Sequence, residues 1–265
     1  MSKPRGQRSS RLSLSNLLTP GHQSAMLWWL FAKTGDKGMR DAYEQFFAKG
    51  YITKQQFFEF GHSETIYAPM DKAEHEWKAL KNRILNNDEV YIRGFGRDAS
   101  GTQLFIDLYR SLFGQENVTK DPTNNAEPTK MLTLLTGYSK SGKNGFEHIQ
   151  NYQVSHIFGR TKNIYTFTAP WNIAYIPKIL DPFTGHEARG EDAREYRSLF
   201  QRQAYDRFHH MIEDFNDLMQ NNNILQQKES FLELLTQDKQ LDQKKNDRFK
   251  RAIEDELRPI SPPNF

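Results

Sequence analysis

The stretch that decides how this chain is read runs from Asn151 to Glu187, NYQVSHIFGRTKNIYTFTAPWNIAYIPKILDPFTGHE. Tyr152-Gln-Val-Ser-His156 alternates and is rich in β-formers, which predicts a strand that carries His156 at its end. Asn172-Ile-Ala-Tyr-Ile176 reads as a second strand, closed by Pro177. Asp181 followed by Pro182 marks a helix start, because Asp caps the first free amides and Pro fits the first helical position. His186 then falls in the second helical turn, and the order is strand, loop, strand, helix.

Working outward, the 265 residues are 37% hydrophobic and include 4 Trp, 11 Tyr and 19 Phe. That is enough apolar area for a real core, in one domain with additions or in two small domains. A mean hydropathy of −0.81 makes the remaining surface strongly polar. The longest apolar window, Ala25 to Ala32, is far shorter than the ~18 residues a membrane span needs, so no membrane association is expected. Lys3, Arg5, Arg8 and Arg11 precede a Ser/Leu segment with neither a compact apolar core nor a small-residue cleavage site, which predicts a cytoplasmic protein. With no cysteine, disulfides, thiolate nucleophiles and sulfur-held zinc are excluded. Any metal must be held by His, Asp, Glu, Asn or water, a set that suits Mg²⁺ or Mn²⁺. The net charge of +3 permits nucleic-acid binding without arguing for it. Local clustering matters more: Arg160 and Lys162 flank the loop after His156, and Arg189, Arg194, Arg197 and Arg202 follow His186 on what reads as one helix.

The flanks organise around this segment. Residues 1–16 read as a flexible basic arm, 17–88 as a helical region, 89–150 as mixed α/β, 151–200 as the ββα segment, and 201–265 as helical elements and a tail. Met39 to Ala48 has apolar spacing of three and four and ends near Gly50; Thr53-Lys-Gln-Gln56 then starts a short helix reaching Gly61. Two helices joined at a glycine resemble a helix-turn-helix, but Phe46, Phe47, Phe57, Phe58 and Phe60 favour a hairpin packed by aromatics. Asp71-Lys-Ala-Glu74 caps a helix to about Asn86, Val90 to Ile92 is a strand, and Thr102 to Phe113 an amphipathic helix. Gln115 to Thr129 reads as a loop and Met131 to Thr136 as a strand. The strand leads into Gly137-Tyr-Ser-Lys-Ser-Gly142-Lys143, the first seven positions of a nucleotide-binding P-loop. Asn144 stands where a Ser or Thr would hold Mg²⁺, and Gly145 weakens the helix that should follow. A Lys-rich exposed turn fits those residues better.

His156, Asn172 and His186, spaced 16 and 14 residues apart, form a set that can put one base and one metal ion around a phosphodiester. A neutral imidazole, with an ordinary pKa near 6.5, suits the deprotonation of water, and a divalent ion suits the charge on phosphorus and on the departing oxygen. With that order of elements, the segment resembles the HNH, or ββα-metal, endonucleases, and its texture through SHIFGRTKN and DPFTGHE is similar to restriction-type members. The resemblance covers about 36 of the 265 residues. It implies that His156 is the general base, that Asn172 braces the loop and orients that histidine, and that His186 is the metal ligand on the helix. Ser155 occupies the position where many members carry a second metal ligand, so water, Glu147, His148 or Asp181 must complete the shell. Asp181 is also the alternative helical ligand.

The expectation is therefore an α+β protein, mostly helical, with an embedded ββα core. The expected activity is Mg²⁺- or Mn²⁺-dependent hydrolysis of double-stranded DNA, of the type II restriction class, with Arg160, Lys162 and Arg189 on phosphates and a homodimer supplying two centres. The rivals are a non-catalytic DNA-binding or assembly protein using the helical hairpin and basic arm, and a P-loop nucleotide binder. His209-His210, on a charged helix, reads as surface.

Overall fold

The computed structural model describes residues 41–96, 98–142, 144–184, 188–237 and 242–263; the basic arm, Lys143 and His186 lie outside these. The chain divides into two units, residues 1–53 and 54–265. In the first, α1 (Ala42–Ala48) starts where the Asp41 carboxylate accepts from the amides of Tyr43 and Glu44, two of the donors a helix start leaves without partners. The second is a mixed α+β unit: α2 (Lys54–Ser63), β1 (Ile66–Tyr67), α3 (Met70–Leu85), β2 (Val90–Ile92), α4 (Ala99–Phe113), β3 (Val118–Lys120), α5 (Ala126–Thr136), β4 (Tyr138–Ser139), β5 (Glu147–His148), β6 (Tyr152–His156), β7 (Ile173–Pro177), a 3₁₀ turn (Lys178–Leu180), α6 (Asp181–Thr184), α7 (Glu191–Met219), α8 (Asn222–Gln237) and α9 (Gln243–Leu257).

The sheet that carries the ββα segment has the order β1-β7-β6, all antiparallel neighbours. Tyr152 faces Pro177 and His156 faces Ile173 across the hairpin. All five residues of β7 are buried, because it is the middle strand and both its faces are covered. On one side Leu132 of α5 packs with Ile149, Val154, Ile173 and Tyr175, and the Tyr175 hydroxyl lies 3.0 Å from Thr133 Oγ1. β1 was not legible in the sequence: two residues, Ile66 and Tyr67, sit in a stretch that reads as helical, and only pairing with β7 makes them a strand.

The larger core gathers around Trp171, fully buried against Trp77 at 5.7 Å and Phe215 at 5.5 Å between ring centres. Edge-to-face and tilted packing of this kind adds to the area term. α7 is 29 residues long and kinks at Phe208, whose backbone leaves the helical region at φ −118° and ψ 20°. α9 begins where the Asp242 side chain accepts from the Lys244 amide. No helix among the described residues is long and apolar enough to cross a membrane.

Three local expectations are corrected. Met131 to Thr136 is not a strand but the end of α5, and the helix absorbs the end of the loop expected over Gln115 to Thr129, where β3 also forms. Asn125 makes no side-chain cap; instead the buried Asp121 carboxylate accepts from the Ala126 and Glu127 amides, a remote cap that leaves no local signature. Phe60 is 44% exposed and so is no part of an aromatic core, whereas Phe57 and Phe58 are buried against Phe183.

Candidate active site

The loop between β6 and β7 is built on one side chain. Asn172 has no exposed surface; its Oδ1 accepts from the Phe158 amide at 2.9 Å, and its Nδ2 donates to the carbonyls of Gly159 and Thr166, each at 2.9 Å. Its own carbonyl accepts from Ile157 at 2.8 Å. A carboxamide is the group for this position, since it alone among side chains of its size offers an acceptor and two donors in one plane. The bends it holds are tight: Gly159 and Arg160 both adopt positive φ, at 70° and 52°. Trp171 beside it fixes the start of β7 in the core.

His156 stands at the end of β6 with its ring stacked on Phe167, 5.3 Å between centres, and Nε2 lies 2.9 Å from the Phe167 carbonyl oxygen. A carbonyl only accepts, so Nε2 carries the proton and Nδ1 keeps its lone pair. Burial pushes the imidazole pKa down to about 4 against the opposing pull of that hydrogen bond; the Arg93 guanidinium lowers it further and the Asp121 carboxylate raises it. The ring is therefore neutral throughout the physiological range.

His156 lines a cleft of about 540 Å³ that runs along β6, the outer strand of its sheet, together with Gln153, Asp181, Arg93, Arg197 and Gln201 among others. Strand alternation sends Gln153 and Ser155 to one face and His156 to the other, and the cleft crosses the edge between them. Asp181, at the start of α6, accepts from Gln153 Nε2 through Oδ1 at 2.7 Å, and its Oδ2 makes no hydrogen bond among the described residues. That exposed oxygen is of the hard type that Mg²⁺ or Mn²⁺ takes. Among the described residues no three His, Asp or Glu side chains converge as a metal-holding cluster, and of the two carboxylates in the cleft lining Glu256 is paired with Lys162, which leaves Asp181 as the carboxylate that would hold a cation. Glu147 and His148 lie on β5, outside the cleft lining, and His148 Nε2 is taken by the Lys140 carbonyl.

The cations expected on phosphates are placed otherwise. Arg160 and Lys162 do line the cleft, but the Arg160 guanidinium donates to the carbonyls of Asp255 and Pro259, and Lys162 Nζ pairs with Glu256 at 2.8 Å. Burial, then the nearby Arg258, bring the Arg160 pKa down to about 10. Both side chains therefore pin the loop to the C-terminal end of α9. Arg189 is exposed and precedes α7 rather than lying on it. The sequence reading missed Arg93, directly after β2, Asn125, directly before α5, and Gln201 of α7, which reach the cleft, and placed Arg197 only as one of several arginines. The Gly137–Gly142 turn follows a helix rather than a strand, Gly137 caps that helix at φ 80°, and β5 rather than a helix comes next. His210 is exposed and pairs with Glu74 at 3.1 Å.

Fold and site together define a mixed α+β protein with a part-buried, neutral histidine at the mouth of a basic cleft. The chain belongs to the family described as "Uncharacterised protein PM1201", which matches residues 68–262 and so spans every residue lining the cleft. It is 41% identical over 216 residues to the protein described as "Uncharacterized protein PM1201" from Pasteurella multocida (strain Pm70), covering 81% of this chain and 93% of that relative. No solved structure matches.

Proposed function

We propose that the protein is a metal-dependent DNA endonuclease that hydrolyses phosphodiesters with His156 as general base. The observation that carries this reading is the tautomer: the Phe167 carbonyl holds the Nε2 proton, which leaves Nδ1 as an unprotonated base. In the proposed reaction Nδ1 takes a proton from water as the water oxygen attacks phosphorus. The bond from phosphorus to the 3′ oxygen breaks, leaving a 5′-phosphate and a 3′-hydroxyl. Asn172 acts one step back, holding the loop whose Phe167 carbonyl orients the ring. A Mg²⁺ or Mn²⁺ ion, when bound, would supply neutralisation of phosphate charge and assistance to the departing oxygen. Asp181 would hold it, with His186 as the HNH resemblance implies. The restriction class, with its homodimer and sequence-specific cutting of double-stranded DNA, is the finer part of the proposal.

The test is incubation of the full chain with supercoiled plasmid in Mg²⁺ or Mn²⁺, with an EDTA control. Nicked and linear products that disappear with EDTA are expected. An intact plasmid across varied DNA and both metals overturns the reading.

A further inference from the structure

We propose that Arg93 holds the scissile phosphate against His156, with Arg197 taking a neighbouring phosphate of the same strand; the inference deepens the nuclease reading and rests on it. Arg93 comes from outside the β6–β7 hairpin, directly after β2. Its backbone amide donates to the Thr161 carbonyl at 2.8 Å, which stitches it to the loop over the site. Its side chain makes no hydrogen bond or ion pair among the described residues, although it lines the cleft. Its charge is felt at the imidazole, where it disfavours the protonated form, as a nearby like charge must.

The other cleft charges are engaged. Lys162 and Glu256 neutralise one another, Asp181 accepts from Gln153, and Arg160 is spent on two carbonyls. Arg197 gives one bond, to the Ala188 carbonyl at 3.2 Å, and meets no carboxylate among the described residues. Among the described residues the cleft lining carries Arg93, Arg160, Lys162 and Arg197 against Asp181 and Glu256, with Glu256 paired to Lys162 and the Asp121 carboxylate near enough to act on His156. An unpaired guanidinium fork beside a neutral base is a receptor for an anion with two or more oxygens in a plane, and a phosphodiester backbone supplies such groups at regular spacing.

The test uses the full chain in two assays: cleavage of plasmid in Mg²⁺ at enzyme excess, and binding of a fluorescein-labelled duplex in Ca²⁺. Arg93→Gln is expected to slow cleavage about 100-fold, the scale of losing one transition-state donor, while duplex affinity falls less than about tenfold. Arg93→Lys restores part of the rate, because a point charge replaces the fork. The acid limb of the cleavage rate in Arg93→Gln moves to higher pH, since His156 then holds a proton more readily; a residue that merely props the loop does not move it. Should Arg93→Gln unfold, a wild-type rate in Arg93→Lys overturns the inference. A wild-type rate with an unmoved limb in Arg93→Gln also overturns it, while the nuclease reading stands on the wild-type cleavage. Duplex binding that depends on Arg93 without any cleavage supports the phosphate contact and overturns the nuclease reading. A wild-type protein that neither binds nor cuts overturns both.

Discussion

Replacing Asn172 by alanine removes three hydrogen bonds from a side chain with no exposed surface. The Phe158 amide and the Gly159 and Thr166 carbonyls lose their partner together. A buried polar group left unpaired costs about 1–3 kcal/mol, and one of the three bonds is fully buried while two are part-buried and can recruit water. The expected loss is about 3–5 kcal/mol, which for a domain of this size lowers the melting temperature by roughly 10–15 °C. Urea titration followed by tryptophan fluorescence reads it directly, because Trp171 is the adjacent residue and wholly buried. Asn172→Asp sharpens the test. It keeps the acceptor for Phe158 but sets a carboxylate oxygen against two carbonyl oxygens, which raises the carboxyl pKa above its unfolded value. Stability of that variant is then present at low pH and lost as pH rises through the raised pKa, the reverse of an ordinary carboxylate. An Asn172→Ala protein within about 1 kcal/mol of wild type would refute the claim that this side chain organises the loop.

Three further outcomes follow from the same geometry. With the His156 pKa at about 4, kcat/KM for cleavage is flat from about pH 5 upward with its acid limb near 4; a limb at 6 to 7 contradicts the burial argument. Because unfolded histidine protonates near 6.5 and folded His156 only near 4, stability is full above 6.5 and lost as pH falls toward 4, by up to roughly 3 kcal/mol; burial lowers His62 in the same direction, and a melting temperature constant from pH 7 to 4.5 would contradict both. Lys162→Ala leaves Glu256, 6% exposed at its side chain, with only the residue 162 backbone amide as partner. It costs about 2–3 kcal/mol by urea titration, and a Lys162→Ala protein within about 0.5 kcal/mol of wild type would rule out the pairing as a structural tie.

Much of the hairpin was legible in the sequence because its signals are local. Alternation gives β6 to the residue, Pro177 closes β7, and the Asp181-Pro182 pair starts α6. The bracing by Asn172 was expected only through the HNH resemblance; on its own the residue read as a turn residue before a strand, and its three partners, Phe158, Gly159 and Thr166, become visible only in the folded loop. The rest depended on distance. β1 is a strand only because β7 offers it an edge, and α5 is capped from Asp121, five residues ahead of its first residue, so an apolar run read as β turned out helical. Arg160 and Lys162 looked like phosphate contacts because the sequence does not show that Glu256 and the carbonyls of Asp255 and Pro259 arrive beside them. Arg93, next to a glycine and far from the hairpin in sequence, carried no signal at all; its place beside the site appears only in the bond from its amide to the Thr161 carbonyl of the loop.

The most direct measurement is cleavage by His156→Ala set beside its thermal midpoint and its affinity for a labelled duplex. Loss of at least about 100-fold in rate, with folding and DNA affinity kept, is the predicted result for a general base. A folded His156→Ala protein that cuts plasmid at the wild-type rate would contradict the assignment of Nδ1 as the group that activates water.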